Sequence, residues 1–273
     1  MGVVRTEEAL LETQRAFDGV AAGYDRSNSE NPTLYEMRER VRRTIAAAVP
    51  PGSHLLDLGC GPGSDTMHFA MRGYRVTAID WSPAMVREAQ WRVGAIGLSR
   101  QTEVLHMGIH ELDRLRPARF DAAYSNFGPL NCVPDLLEAA RLVGDRLRRG
   151  GVLVASVIGR VCPWEVALYL ARGQWTRSSI RFRVGLVPVP LDGRQVWTRY
   201  YTPGAFERTF AAAGFSRVSL RTLGLFAPPP YLQAFAGRHP ALVSALQRMD
   251  DRVGSWPGLR ACGDHFLIVL RKP

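Results

Sequence analysis

Residues 54–63, HLLDLGCGPG, form an apolar run that ends in an acidic residue and continues into three glycines at alternate positions. The apolar run predicts a buried strand over residues 54–58. Gly59, Gly61 and Gly63 let the backbone turn tightly and approach a ligand at positions where a side chain would block it. In an open parallel sheet, the turn after the first strand lies at the edge where ligands bind. The stretch therefore predicts a ligand-binding loop at the start of an α/β fold.

Helical and strand patterns alternate on both sides of this loop. Helical patterns occur at residues 32–48, 64–71, 82–93, 134–147 and 203–213, and strand patterns at residues 54–58, 75–79, 104–107, 120–125, 152–158, 215–221 and 265–270. Alternation with apolar strands favours a mostly parallel sheet that helices cover on both faces. We predict an α/β fold with a seven-stranded, mostly parallel sheet.

Two stretches break the alternation. Residues 159–198 and 227–263 follow strands in the second half of the chain and are rich in aromatic residues and proline. We expect residues 1–273 to form a single domain, in which these two stretches are insertions that form a cap over the substrate. Helices within residues 1–50 would lie over the ligand edge of the sheet. The aromatic content of the insertions suits a partly apolar pocket.

Several side chains of the first insertion have two readings. Trp164, Trp175 and Trp197 form either an apolar wall for a substrate or the core of a small cap. Arg181 and Arg183 alternate in the sequence RFRV, which predicts a strand that carries both arginines on one exposed face. Solvated charge is the default expectation for such arginines, and pairing with an acidic substrate is the alternative.

The net charge is +10, and Lys272 is the only lysine. This nearly exclusive use of arginine is typical of a genome-wide codon bias, so we give the basic charge little weight as a sign of nucleic-acid binding. The chain also has no arm or tail rich in basic residues of the kind that nucleic-acid binders often carry. The charge remains compatible with an acidic small substrate.

The cysteines and the apolar segments argue against a disulfide-rich, a zinc-binding, a membrane-spanning and a secreted protein. Four cysteines are scattered along the chain with no CxxC pair, which argues against a disulfide framework and a zinc site, and we expect no metal. No apolar run reaches the roughly 18 residues of a membrane span, so we expect no membrane partner. The N-terminus lacks the apolar core of a signal peptide, and we expect a cytoplasmic protein.

The acidic residues around the loop constrain the ligand. Asp80 ends the second strand about 20 residues after Gly59, where a carboxylate can accept hydrogen bonds from ribose hydroxyls. Trp81 beside it offers a flat face to a purine. A dinucleotide site requires GxGxxG, but Ser64 occupies the last position, and Asp57 would repel a diphosphate. A zwitterion such as S-adenosylmethionine, with an ammonium group, a ribose and an adenine, fits better, while a dinucleotide oxidoreductase and an ordinary tight turn remain alternatives.

Several segments carry a family resemblance. LLDLGCGPG, followed by VTAIDWSPAMVREAQ, resembles the first two motifs of the class I S-adenosylmethionine-dependent methyltransferases of small molecules. FDAAYSNFGPLNCV and RRGGVLVASVI resemble the fourth and fifth strands of that family, YYTPGAFERTFAAAGF is similar to its late helix, and AAGYD is similar to its N-terminal segment. The resemblance covers about two thirds of the chain and omits both insertions. It implies a Rossmann-like fold that binds S-adenosyl-L-methionine and releases S-adenosyl-L-homocysteine.

The resemblance also implies roles for single residues. Asp57, Gly59 and Gly61 would hold the methionine part of the cofactor, Asp80 the ribose and Trp81 the adenine.

On the opposite side of the cofactor, the sequence departs in part from the pattern of the family. By the same resemblance, Tyr24 and Asn126 would line the cofactor from that side. Many members of the family place an acid near the adenine amine after the third strand, but this chain has Gly108 and Ile109 there. Backbone groups of these two residues would then recognise the amine.

Two residues are candidates for catalysis. Methyl transfer needs a general base only when the acceptor must lose a proton near neutral pH. His110 follows the third strand at the ligand edge, and the ordinary pKa of histidine suits proton abstraction. Tyr201 precedes the late helix and could point into the pocket. The alternative readings are a surface histidine and a packing tyrosine.

Together, these observations predict a methyltransferase that acts on a small-molecule acceptor, and the architecture is compatible with secondary metabolism. An RNA or DNA methyltransferase is the first alternative, since the pI is high and SNFGPL faintly resembles the motif that grips a flipped base. A domain that binds S-adenosylmethionine without turnover is the second. The glycine loop and Asp80 predict that the chain binds S-adenosylmethionine, but they do not by themselves predict catalysis.

Overall fold

A computed structural model of the protein describes residues 6–29, 31–116 and 118–273. The helices are α1 (Thr6–Ser29), α2 (Pro32–Ala48), α3 (Ser64–Ala70), α4 (Pro83–Ala95), α5 (Leu136–Arg146), α6 (Pro163–Ala171), α7 (Trp175–Ser178), α8 (Pro203–Ala212), α9 (Gln233–Arg238) and α10 (Pro240–Val253). The strands are β1 (His54–Leu58), β2 (Arg75–Asp80), β3 (Thr102–His106), β4 (Phe120–Ser125), β5 (Leu147–Ile158), β6 (Val187–Leu191), β7 (Arg194–Thr198), β8 (Ser216–Leu223) and β9 (His265–Arg271).

The main sheet has seven strands in the order β3-β2-β1-β4-β5-β9-β8. All neighbours pair in parallel except β9, which is antiparallel to both β5 and β8. The chain moves outward from β1 to β3 and then returns to place β4 beside β1. This reversal opens a crevice at the carboxyl ends of β1 and β4, where ligands bind in folds of this kind. The predicted fold class is confirmed.

Each face of the sheet carries its own buried core. Leu55 of β1 packs into the core under α2, α3 and α4, while its neighbour Leu56 packs into the core under α5 and α8. Strict alternation along a strand that is buried on both sides produces this division. No helix in the described part of the chain is long and apolar enough to cross a membrane.

The first insertion contains a hairpin that the sequence patterns did not reveal. Strands β6 and β7 pair antiparallel as a separate two-stranded sheet, with Val189 opposite Val196. Asp192 and Gly193 connect them, both with positive φ values, of 46° and 74°. An Asp-Gly pair between two β-branched runs is a strong hairpin signal, because both residues tolerate the left-handed backbone of the tight turn.

The three tryptophans of the first insertion do not cluster. Trp175 is 71% exposed, Trp164 packs against Phe235, and the indole N–H of Trp197 donates to Glu12. None of the three lines the main cavity, so the hypothesis of a tryptophan wall for the substrate is wrong.

Arg181 also differs from its prediction. Residues 180–182 form a 3-10 turn rather than a strand, and Arg181 is buried whereas Arg183 is exposed. The Arg181 guanidinium donates to the carboxylates of Glu165 and Asp264 and to the backbone carbonyl oxygens of Gly159 and Asp264. Burial alone would raise the pKa of Asp264, but the Arg181 charge holds it well below its usual range. These bonds fasten the first insertion to the ends of β5 and β9.

We predict that Arg181→Met destabilises the protein by about 3–5 kcal/mol, because the change leaves two buried carboxylates without a cation. Urea unfolding followed by circular dichroism measures the loss. Arg183→Met is the matched control, and its exposed side chain predicts a change within about 0.5 kcal/mol. Equal effects of the two substitutions would contradict the network described above.

Candidate active site

A cavity of about 340 Å³ lies at the carboxyl ends of β1, β2 and β4. The loops after these strands form its floor. One face of α1 and the hairpin β6–β7 form its roof. The site thus lies at the point of the sheet where the strand order reverses.

The glycine loop after β1 has a backbone that side chains would not tolerate. Gly59, Gly61 and Gly63 all have positive φ values, of 80°, 53° and 84°. A Cβ atom on Gly59 would lie 2.4 Å from the Cγ atom of Pro129, so the loop presses directly on the segment after β4. A Cβ atom on Gly61 would meet nothing within 4 Å. Gly61 therefore borders open space on the cavity side.

Asp57 is the buried acid of the floor. Its side chain is only 2% exposed, and its Oδ2 atom accepts hydrogen bonds from the Thr66 hydroxyl (2.6 Å) and the Tyr124 hydroxyl (2.9 Å). Burial raises the pKa of this carboxyl group to about 7. A cation in the cavity would favour the ionised form, so Asp57 is poised to pair with an ammonium group.

Asp80 is held by the loops on either side of it. Its two carboxylate oxygens accept hydrogen bonds from the backbone N–H groups of Gly61 and Ser82, both at 2.8 Å. Burial raises the pKa of Asp80, and these two donors oppose that rise. The carboxylate is therefore fixed in place at the cavity wall, with lone pairs left to accept further hydrogen bonds.

Trp81 lies next to Asp80 and between two histidines. Its ring stacks on His106 at 5.7 Å and meets the His110 ring edge-on at 4.9 Å. The indole N–H is buried and meets no acceptor within the described residues. An indole N–H usually finds a partner when it is buried, so this donor marks a place for a ligand acceptor.

Asn126, after the fourth strand, and Arg38 of α2 both contact Asp65 at the start of α3. The Asn126 amide donates to Asp65 (3.0 Å) and accepts from Ser156 (2.7 Å). Arg38 lies 3.6 Å from the Asp65 carboxylate and stacks over the ring of Phe127. The guanidinium of Arg42 takes the other Asp65 oxygen at 2.7 Å. Arg38 is the only arginine or lysine among the described residues that line the cavity.

The predicted cofactor residues meet in this one cavity. They are Tyr24, Asp57, Gly59, Gly61, Asp80, Trp81, Gly108, Ile109 and Asn126, and His110 joins them. Both backbone polar groups of Gly108 already have partners, since its N–H donates to the Glu111 carboxylate and its carbonyl accepts from the Glu111 N–H. The backbone groups of Ile109 are therefore better candidates than those of Gly108 for hydrogen bonds to the adenine amine.

Of the two catalytic candidates, His110 and Tyr201, only His110 lines the cavity. Burial lowers the pKa of His110, so its imidazole is neutral at pH 7 and able to accept a proton. Tyr201 is absent from the lining and is buried in the core that α5 and α8 cover, with its ring edge-on to Phe206 at 5.7 Å. This burial favours the packing reading of Tyr201 over the catalytic one.

The sequence analysis expected helices within residues 1–50 over the ligand edge and a cap from residues 159–198, but it named no lining residue of α1 before Tyr24 and no hairpin. Along α1, Leu10, Thr13, Gln14 and Phe17 recur at helical spacing and face the cavity. The Thr13 hydroxyl accepts from the backbone N–H of Trp197 at 3.0 Å, and this bond joins α1 to β7. The periodicity within residues 6–29 and the Asp-Gly turn of the hairpin are the signals that could have revealed this roof.

We predict that two glycine substitutions in the loop destabilise the protein to different extents. Gly59→Ala combines a backbone that is unfavourable for alanine with a clash against Pro129 and costs about 3 kcal/mol of unfolding free energy. Gly61→Ala meets only the backbone strain, about 1 kcal/mol. Urea unfolding of both variants checks the order. Equal destabilisation would show that the loop does not press on Pro129.

Comparison with known proteins supports the resemblance. Residues 55–151 match the family described as "Methyltransferase domain". Over 121 residues the chain is 35% identical to the ubiquinone biosynthesis O-methyltransferase of Xanthomonas campestris pv. campestris, which covers 44% of this chain and 49% of that protein. Over 73 residues it is 45% identical to the trans-aconitate 2-methyltransferase of Paracidovorax citrulli, which covers 24% of this chain and 28% of that protein. The chain thus spans at most about half the length of these curated relatives.

Solved structures share the fold over most of the chain. A methyltransferase of Burkholderia thailandensis, 1,6-didemethyltoxoflavin-N1-methyltransferase, was solved with 1,6-didemethyltoxoflavin and S-adenosylhomocysteine. It aligns with a TM-score of 0.62 at 17% identity, over 100% of this chain and 92% of that one. The [4+2]-cyclase SpnF aligns with a TM-score of 0.57 at 18% identity, over 86% of this chain and 80% of that one. At these identities the likeness establishes the fold, not the reaction.

Proposed function

We propose that this chain, whose residues 55–151 form a methyltransferase domain, is an S-adenosyl-L-methionine-dependent methyltransferase that acts on a small-molecule acceptor. One observation carries the proposal. One cavity has the glycine loop, Asp57 and Asp80 on one side and is covered on the other by a mostly apolar roof made by α1 and the hairpin β6–β7. A cofactor and an acceptor can therefore meet there away from bulk water.

As predicted from the sequence, we place this activity in the cytoplasm.

The residues of the cavity fit the parts of this cofactor. Asp57 would pair with its ammonium group, and Asp80 would accept hydrogen bonds from its ribose. Arg38, which lines the same cavity, would pair with the carboxylate of the cofactor. The indole N–H of Trp81, which has no acceptor among the described residues, and the open space beside Gly61 also fit the approach of a ligand at this wall.

S-adenosyl-L-methionine supplies, when bound, a methyl group on a sulfonium that is already activated for displacement. The protein's own residues then have to align the acceptor and exclude water. The α1 face and the hairpin perform the exclusion. His110 is the candidate base for an acceptor that must lose a proton, because its imidazole is neutral at pH 7 and it borders the same cavity.

Two other functions fit less well. A nucleic-acid methyltransferase needs a cleft that admits a flipped base with its backbone attached. Here α1 and β7, which together form the roof, are bonded to each other by the hydrogen bond from the Trp197 backbone N–H to the Thr13 hydroxyl, and this bond opposes the opening of such a cleft. A cofactor-binding protein that catalyses a different reaction is favoured by one observation, the shared fold of the [4+2]-cyclase SpnF. Transfer of a labelled methyl group to a small acceptor would distinguish the proposed methyltransferase from a cofactor-binding protein that catalyses a different reaction.

The first test of the proposal is calorimetric titration with S-adenosylhomocysteine. We expect micromolar binding by the wild type and about 100-fold weaker binding by Asp80→Ala, since the change removes charged hydrogen-bond acceptors worth about 3 kcal/mol. Asp113→Ala, an exposed acid outside the cavity, is the control and should bind like the wild type. Absence of binding by the wild type would refute the proposed cofactor.

A second test uses the pKa of Asp57. Because burial raises that pKa from 3.8 to about 7, the ionised carboxylate that pairs with an ammonium group is lost as the pH falls through 7. We predict that S-adenosylhomocysteine binds about tenfold more weakly at pH 6 than at pH 8, with proton release on binding near pH 7. Asp57→Asn should bind weakly at both pH values and lack this dependence. A wild type that binds equally at both pH values would contradict the pairing.

The same shift has a consequence for the ligand-free protein. The pKa of Asp57 is higher in the folded than in the unfolded chain, so the neutral carboxyl group favours folding at low pH. That contribution is fully present below pH 3.8 and is lost as the pH rises to about 7.

A further inference from the structure

The charged side chains of the cavity are confined to one part of it. Five charged residues line the cavity: Asp25, Arg38, Asp57, Asp65 and Asp80. Each is bonded to the glycine loop, to α3 or to a residue of this group. Asp25 bonds to Ser64 and Arg92, Asp57 to Thr66, Asp80 to the Gly61 N–H, and Arg38 pairs with Asp65 of α3. We call this part of the cavity the charged half.

The rest of the lining is apolar or neutral, and we call it the apolar half. Its walls are Leu10 and Phe17 of α1, Ile158 at the end of β5, and Val189, Leu191 and Val196 of the hairpin. The register of the hairpin places Val189 opposite Val196, so both valines are on the same face.

The polar groups of the roof already have partners. The Thr13 hydroxyl accepts from Trp197, and the Gln14 amide donates to the Trp81 carbonyl at 2.7 Å. Cys132 also borders this part, and burial raises the pKa of its thiol to about 12, so it carries no charge at neutral pH. No lining residue of α1 before Tyr24, of β5 or of the hairpin is charged within the described chain.

An ion placed in the apolar half would lose its hydration without gaining a counter-charge. That penalty exceeds what contact with apolar walls returns, whereas a neutral apolar molecule gains from the same contact. The amino-acid part of the proposed cofactor matches the charged half, which leaves the apolar half for the acceptor.

We propose that the acceptor is a small, neutral, mainly apolar molecule, selected by the face that α1 and the hairpin β6–β7 present to the apolar half. This inference rests on the proposed function, because it assigns the charged half to the cofactor. Organic acids and amines that are charged at neutral pH are excluded as acceptors unless their charge stays outside the cavity.

The test compares three bicyclic probes of similar size and different charge. They are 2-naphthol, which is neutral at pH 7, the anion 2-naphthoate, and the cation 2-(aminomethyl)naphthalene. Each is titrated calorimetrically at pH 7 into wild-type protein saturated with S-adenosylhomocysteine. We expect 2-naphthol to bind at least tenfold more tightly than either ion. Binding of either ion as tight as that of 2-naphthol, or binding of none of the three, would overturn the inference.

A pair of variants locates the selectivity on the hairpin. Val189→Asp adds a carboxylate to the apolar half and should weaken 2-naphthol binding at least tenfold relative to the cation. Gln195→Asp adds the same charge at an exposed position of β7 that does not line the cavity, and it should leave the order of the probes unchanged. Retained binding of S-adenosylhomocysteine shows that each variant is folded. If Val189→Asp does not fold, the wild-type comparison of probes decides alone.

The two proposals fail in different ways. If wild-type protein does not bind S-adenosylhomocysteine, the proposed function fails, and the inference fails with it. If the protein binds S-adenosylhomocysteine but does not prefer the neutral probe, the assignment of the acceptor class fails alone.

Discussion

The cavity depends on carboxylates that are buried and held by donors from the fold itself. An isolated carboxylate would be neutral or unstable in such a place. Asp80 is fixed by the backbone N–H groups of Gly61 and Ser82, and Asp57 by two hydroxyl groups. These donors occupy only part of each carboxylate, so the remaining lone pairs are available to a polar, positively charged ligand. The glycine loop has its shape because it must bring the Gly61 N–H to Asp80 while it presses on Pro129.

The roof covers this edge of the sheet and turns it into a cavity. The helix α1 is bonded to α4 and to the loop after β2, since Asp25 pairs with Arg92 of α4 and Asp18 accepts from the Ser82 hydroxyl. The hairpin is bonded to α1 through Trp197. Arg181 fastens the insertion that carries the hairpin to the end of β9. The charged half and the apolar half of the cavity therefore come from segments that are far apart in sequence. Polar contacts hold these segments together.

How far the sequence predicts this site depends on how local each feature is. The strand 54–58, the tight turn of the glycine loop and the position of Asp80 at the end of the second strand were predicted correctly, because each has a signal that lies within a few residues. The hairpin was missed because Pro188 and Pro190 argue against a central strand, and they are tolerated here because β6 is an edge strand that pairs only with β7. Arg181 reads as a surface residue until its partners Glu165 and Asp264, distant in sequence, are brought to it. Arg38 gave no local signal, since its place in the cavity follows from the packing of α2.

The measurement that tests the central claim most directly is a crystal structure of the protein with S-adenosylhomocysteine. The account predicts ribose hydroxyls bonded to Asp80, the adenine against Trp81, and the amino-acid part between Asp57 and Arg38, with the apolar half left free. A ligand bound elsewhere, or one whose amino-acid part lies against the hairpin β6–β7, would contradict it.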